Sequence, residues 1–204
     1  MSTNTGFGSC RRFKVVLIGD SGVGKTALFL RLRDGIFCDT VSTIGVDSFT
    51  RNIVVDGLSV KLTLVDTAGI ERFNTLSTSY YRHSHAVFFV YSVDKPATLA
   101  SVRTWNKTVD IIAPNVVRFI VGTKNDIQCG LCQTTVEHVA NSIGCKAVFD
   151  TSAKTGHGVS NLLEIVCKCL ITEQNHEQQE ATNSKFNLDD LEFHSTTNQS
   201  ACCS

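Results

Sequence analysis

Short apolar runs alternate with amphipathic stretches along most of this chain, and the alternation predicts strands and helices in turn. Phe13 to Ile18, Ala86 to Ser92 and Val116 to Gly122 are nearly continuous apolar runs with the length of buried strands. Ala147 to Asp150 is a shorter one. Arg51 to Val55 and Ser59 to Val65 flank Asp56-Gly57, a dipeptide that accepts the backbone of a tight hairpin. Lys25 to Arg33 predicts a helix, and so does Ala97 to Ile112, with Leu99, Val102, Trp105, Val109 and Ile112 on one face. Thr134 and Glu137 have capping-box spacing before a helix predicted to end near Gly144. Val159 to Ile171 predicts a last amphipathic helix. Strands alternating with helices specify an α/β fold in three layers, with helices on both faces of a mostly parallel six-stranded sheet. The hairpin adds one antiparallel edge strand. Ligands of such sheets bind beyond the carboxyl ends of the strands, so the loops there are the places to look for chemistry.

After Thr172 the pattern stops and Gln, Asn, Glu, Thr and Ser dominate. The expected organisation is one domain over residues 11–172 and a flexible polar tail over 173–204. Composition adds little to this: 42% hydrophobic and 19% charged residues are ordinary for a globular protein. The formal net charge of zero gives no field favouring nucleic acid, so no nucleic-acid partner is expected. The tail is acidic, carrying Glu173, Glu177, Glu180, Asp189, Asp190 and Glu192 against Lys185. No apolar run approaches the roughly 20 residues that span a bilayer, and the first residues lack an apolar signal segment. An intracellular protein with reduced thiols is therefore expected, despite nine cysteines. Ser2 excludes N-myristoylation.

Three strand ends carry recognisable chemistry. Gly19-Asp20-Ser21-Gly22-Val23-Gly24-Lys25-Thr26 fits GxxxxGK[ST] between a strand and a helix. Glycines let the backbone wrap a phosphate, the helix N-terminus adds partial positive charge, Lys25 reaches the β- and γ-phosphates, and the Thr26 hydroxyl ligates Mg²⁺. The fold class is thus that of a P-loop NTPase. Asp66-Thr67-Ala68-Gly69 follows a strand. Asp66 is placed to hold Mg²⁺ through water, and the Gly69 N–H to meet the γ-phosphate. Thr123-Lys124-Asn125-Asp126 and Thr151-Ser152-Ala153-Lys154 follow two later strands. The Asp126 carboxylate can accept from guanine N1–H and N2–H₂, a donor pair that adenine lacks. The Ala153 N–H can meet guanine O6.

In this order the motifs resemble those of the Ras-like small GTPases, and within them the Rab proteins. Rab-like stretches are Ser42-Thr43-Ile44-Gly45-Val46-Asp47, Glu71-Arg72-Phe73, Tyr80-Tyr81-Arg82 and Val90-Tyr91-Ser92. The resemblance implies GTP and GDP as ligands and Mg²⁺ as cofactor, held by Thr26, Thr43 and, through water, Asp66. It implies a nucleotide site that also takes in Asp20, Ser21, Gly22, Val23, Gly24, Lys25, Ala27, Gly69, Thr123, Lys124, Asp126, Ser152, Ala153 and Lys154. Phe37 falls where the family stacks an aromatic on the guanine edge; alone it reads as a core residue, and Thr43 as a strand residue. Catalytic roles fall to Lys25, Thr43 and Gly69. The family's water-orienting glutamine is replaced by Ile70. Other departures are Thr40, where an aromatic often covers the γ-phosphate, and Ser48 and Val65, which replace two of three effector-facing aromatics and leave Tyr80.

The chain ends Gln199-Ser200-Ala201-Cys202-Cys203-Ser204, which resembles the paired cysteines of Rab tails that carry two geranylgeranyl groups. Leu191-Glu192-Phe193 resembles a short motif that docks on the prenyl escort protein. The resemblance implies an exchange factor, a GTPase-activating protein, effectors, an escort protein and a GDP-dissociation inhibitor as partners. It also implies residence on the cytosolic face of intracellular membranes, with a cytosolic pool. The expected role is a switch in vesicle traffic; the alternative is a GTP-bound binding module that scarcely hydrolyses. The absence of an inserted helix between Asp126 and Thr134 speaks against a Rho-like reading, and the terminal cysteines speak against a Ran-like one, whose family lacks lipidation. Cys129 and Cys132 form a lone C-x-x-C, read as free loop thiols with a redox or half-zinc role as the alternative. His83 and His85 read as surface or capping residues.

Overall fold

The computed structural model describes residues 10–38, 46–67, 81–127 and 131–193, with side chains through residue 180. Its six strands are β1 (Arg11–Ile18), β2 (Asp47–Val55), β3 (Leu58–Asp66), β4 (Ala86–Ser92), β5 (Val117–Thr123) and β6 (Ala147–Asp150). Its helices are α1 (Lys25–Asp34), α2 (Ala97–Ile112), α3 (Gln133–Ser142) and α4 (Leu162–Phe193). The strands lie in the order β2-β3-β1-β4-β5-β6. All neighbours are parallel except the hairpin pair β2 and β3. Asp56 and Gly57 both have positive φ, the geometry of a type I′ turn. The fold is the predicted one.

Side-chain alternation sorts the core into two layers. Phe13, Val15 and Leu17 of β1 face one way, toward Leu28 and Phe29 of α1 and Leu163, Val166 and Leu170 of α4. Val16 and Ile18 face the other way, toward Leu99, Val102 and Val109 of α2 and Val136 and Val139 of α3. Each fully buried aliphatic side chain contributes about 1.5–3 kcal/mol. The central strands β1 and β4 are buried on both faces, so they read as unbroken apolar runs.

Two details differ from the sequence pattern. Thr134 does not cap α3: the cap position lies two residues earlier, at Cys132, with no side-chain capping bond, and the helix begins at Gln133. Glu137 instead accepts from Gln133 Nε2 at 3.0 Å, one turn back. An earlier start puts Thr134 and Glu137 in the second and fifth helical positions, where the reciprocal capping bonds cannot form. The second difference is α4, which continues past Thr172 to Phe193. The segment is rich in Glu and Gln and holds no Gly or Pro, so the helical backbone is not interrupted. Among the side chains described, through residue 180, the buried stripe stops at Ile171. Leu191-Glu192-Phe193 forms its end.

Candidate functional site

The parallel strands β1, β3, β4, β5 and β6 all deliver their carboxyl ends to one edge of the sheet, and the polar motifs gather there. The loop after β1 turns sharply at Gly19. A Cβ on Gly19 would lie 2.1 Å from the Val90 carbonyl oxygen, so only glycine lets the loop pass β4. Gly24 caps α1 with φ 98°, left-handed backbone that costs other residues strain. Lys25 is 4% exposed, and its Nζ donates to the carbonyls of Gly19 and Asp20, each at 2.8 Å. The ammonium thus lies folded against the loop that it would share with a phosphate. Thr26 Oγ1 donates to Asp66 Oδ2 at 2.6 Å, and Asp66 is 1% exposed. A hydroxyl and a carboxylate converging in a buried corner beside the loop are hard oxygen donors of the kind Mg²⁺ takes alongside phosphates and water. The residues present fit that ion.

The two later tetrads are welded together. Thr151 donates to the Gly122 carbonyl through both its N–H, at 2.7 Å, and its hydroxyl, at 2.8 Å. Asn125 N–H donates to the Thr151 carbonyl at 3.0 Å. Ser152 Oγ donates to Asp126 Oδ1 at 2.6 Å and accepts from the Thr155 N–H at 3.1 Å. Thr123 donates through its hydroxyl to the carbonyls of Val23 and Tyr91, tying this end to the phosphate loop. Lys124 has φ 61°, rare for a residue with a side chain, and its ammonium pairs with Asp94 at 3.0 Å. Asp94 also accepts from the Ser92 hydroxyl, and that bond first, with Lys124, holds its carboxyl below the ordinary range.

One cavity of about 360 Å³ joins the parts: Gly22, Gly24 and Ala27 from the loop and helix, Phe37, then Thr123, Lys124, Asp126, Ala153 and Lys154. Asp126 is exposed at this cavity rather than buried in advance, so only a ligand would desolvate it. Phe37 is 37% exposed. A larger cavity of about 460 Å³ lies between Arg31, Arg51, Gly156 and Leu163, but no residue of the phosphate loop reaches it.

Thr40, Thr43, Gly69, Ile70, Tyr80, Cys129, Cys202 and Cys203 lie outside the described residues. Ser48 and Val65 are opposite one another on β2 and β3; Ser48 is exposed and Val65 is 5% exposed. Cys132 is exposed and its Sγ lies 3.0 Å from Thr134 Oγ1, a contact that lowers its pKa. Among the described residues no group of three or more His, Cys, Asp or Glu side chains is placed to hold a metal ion. His85 Nδ1 accepts the Lys14 N–H at 3.1 Å, a bond at the opposite end of the sheet from the site. Sequence reasoning missed Asp94 as the partner of Lys124, and it read Trp105 only as an apolar helix position. Trp105 Nε1 in fact donates to Asp20 Oδ1 at 2.8 Å.

Comparison with known proteins adds to this geometry. The model of the Ras family matches residues 14–172. Two proteins of Arabidopsis thaliana, Ras-related protein RABE1d and Ras-related protein RABD2b, are each 36% identical to this chain. The alignments cover 94% of this chain, with 92% of the first and 96% of the second. GTP-binding protein YPTM2 of Zea mays is 35% identical, over 94% of this chain and 96% of its own length.

Proposed function

The chain belongs to the Ras family of small GTPases and is of the Rab type, and from that premise we propose that it alternates between GDP- and GTP-bound forms to recruit effectors in membrane traffic. The observation that carries the site assignment is the single cavity shared by the phosphate loop and the welded tetrads. Asp126 accepts from the guanine N1–H and N2–H₂ edge, with Ser152 Oγ fixing the carboxylate. The Ala153 N–H meets guanine O6, and Phe37 and the Lys124 stem flank the base. The Lys25 ammonium leaves the Gly19 and Asp20 carbonyls for the β- and γ-phosphate oxygens. Mg²⁺, when bound, neutralises charge on those oxygens. Thr26, Thr43 and, through water, Asp66 would hold it.

Hydrolysis requires a water held in line with the γ-phosphate. Glutamine can donate to and accept from that water; the side chain of Ile70 can do neither. Losing one polar positioning group costs roughly 10²-fold, by analogy with removal of an oxyanion donor. We therefore propose very slow hydrolysis by the isolated chain, so that exchange or an activator supplying a glutamine in trans governs switching. Ile70 also favours the second reading, a GTP-bound module that scarcely hydrolyses. Single-turnover assays of wild type and Ile70→Gln, with GTP and ATP and with and without activator, separate these. The expected result is guanine selectivity with roughly 10²-fold faster intrinsic hydrolysis by Ile70→Gln. Equal binding of ATP and GTP would overturn the site assignment, and equal hydrolysis by the two proteins the role given to Ile70. A wild type that no activator stimulates is the second reading.

Among the described residues no helix is long and apolar enough to cross a membrane. Attachment is instead assigned to geranylgeranyl groups on Cys202 and Cys203, since one lipid holds marginally and two hold stably. The acidic tail cannot add attraction to anionic lipids. Cell fractionation should find the single-cysteine variants weakly held and the double serine variant soluble; a membrane-bound double variant contradicts the assignment. The escort protein, GDP-dissociation inhibitor and exchange factor belong to the same proposed cycle.

A further inference from the structure

Trp105 is the chain's one tryptophan, and only part of it serves the core. Its ring is partly buried and packs against the apolar layer that includes Leu99, Val102 and Val109 of α2. Its indole N–H leaves that apolar layer and donates to Asp20 Oδ1 at 2.8 Å, between residues 85 positions apart. Asp20 is the second residue of the phosphate loop, and its carbonyl accepts from Lys25 Nζ at 2.8 Å. The residue is therefore held twice: its backbone by the lysine, its carboxylate by the indole.

A carboxylate is an adverse group to place in a loop that receives a polyphosphate. Two unit charges about 10 Å apart at an effective dielectric near 20 repel enough to cost about tenfold in affinity. A hydrogen bond to an ionised acceptor is worth about the same factor or more. The Trp105 N–H aims the Asp20 carboxylate at α2 and fixes the torsions of the loop's second residue. Without that donor the carboxylate is free to swing into the space over the loop, and the loop loses this side-chain tether to α2.

We propose that Trp105 is a positioning residue for nucleotide retention, acting through Asp20 to keep the phosphate loop set and its carboxylate turned away from the bound phosphates. This rests on the nucleotide-switch reading above. It adds that α2 has a direct handle on the loop, so that a partner displacing Trp105 accelerates nucleotide release.

The test is the dissociation rate of a fluorescent GDP analogue, excited directly, from the full-length protein. Trp105→Phe keeps a ring in the packed space and removes the donor. Release should then be about tenfold faster than from wild type. Adding Asp20→Asn to Trp105→Phe removes the freed charge, and the double variant should recover most of that loss. A role confined to ring packing predicts no such recovery. The proposal is overturned if Trp105→Phe releases GDP at the wild-type rate, or if the double variant releases it as fast as Trp105→Phe. Wild-type protein that retains no guanine nucleotide would instead overturn the switch reading itself, and this proposal with it.

Discussion

The two ends of the parallel sheet use polar groups in opposite ways. At the carboxyl end, Lys25 is bonded to loop carbonyls, Thr26 to Asp66, and Ser152 to Asp126. The lysine, the threonine hydroxyl and the two carboxylates there are groups that phosphate, Mg²⁺ or guanine can engage in place of, or alongside, these internal bonds. At the amino end the bonds tie one element of the fold to another, at positions that are mostly exposed. His85 accepts from the Lys14 backbone N–H, Lys14 Nζ donates to the Arg82 carbonyl, and Arg11 donates to the Ile171 carbonyl and to Asn175. These join β1 to β4 and to α4 and close the end of the sheet. The difference teaches that a buried or bonded polar group marks a ligand site only when its partner is exchangeable. Substitutions at the carboxyl end should change affinity far more than stability, and those at the amino end the reverse.

The strongest test of that division is Lys25→Ala. In the proposed site Lys25 would supply charge-assisted bonds to two phosphates, each worth about 1.5–3 kcal/mol. Affinity for GDP should fall by roughly 10³-fold, measured by equilibrium titration. The nucleotide-free protein should lose less than that, about 1–3 kcal/mol, because the buried Gly19 carbonyl loses its donor while the part-buried Asp20 carbonyl can take water. A variant that keeps its GDP affinity breaks the comparison at its main point.

Asp126→Asn sharpens it at the base. The amide still accepts from Ser152 but opposes the guanine donors with one of its own. GTP affinity should fall roughly 10²-fold, and xanthosine nucleotides, with an oxygen at C2, should gain. Competition binding with GTP and XTP measures both. Loss of GTP binding without gain of XTP would mean that the carboxylate supports the turn rather than reading the base.

The places of these motifs at strand ends were legible in the sequence because each follows a short apolar run with the length of a strand. Val15 to Ile18 and Phe119 to Val121 are buried on both faces, so composition alone located them. Long-range polar partners were illegible. Nothing local to Trp105 indicates that its N–H finds Asp20, or that Lys124 pairs with Asp94, because those meetings depend on how α2 and β4 are placed. The capping box failed for the opposite reason: Thr134 and Glu137 have the right local spacing, but the chain entered the helix two residues sooner. The reach of α4 was hidden too, since polar helix formers with no core to face look like a tail.

The smallest effect belongs to the amino end and concerns pH. His85 sits edge-on to Phe13, with ring centroids 5.3 Å apart, and its Nδ1 accepts the Lys14 N–H. Partial desolvation lowers its pKa from the ordinary histidine value; Glu177 opposes the shift, and His83 and Lys14 add to it. An imidazolium has no acceptor nitrogen, so protonation sacrifices the bond to β1. The unfolded chain therefore takes up this proton first as pH falls. The stabilisation is fully present above the unfolded pKa of about 6.5 and is lost as pH falls through the lower folded value. The side chain is largely exposed, so solvent screening keeps the effect under about 1 kcal/mol. That corresponds to at most about 2–4 °C in the unfolding midpoint of a chain this size. His85→Asn places a non-titrating oxygen near the Nδ1 position, and between pH 7.5 and 5.5 its midpoint should fall less than that of wild type. GDP affinity should be the same in both at either pH, since the site lies at the other end of the strands. Identical pH slopes would remove His85 from the account. A change in GDP affinity with His85→Asn would show that the two ends are coupled, and the division between them would fail there.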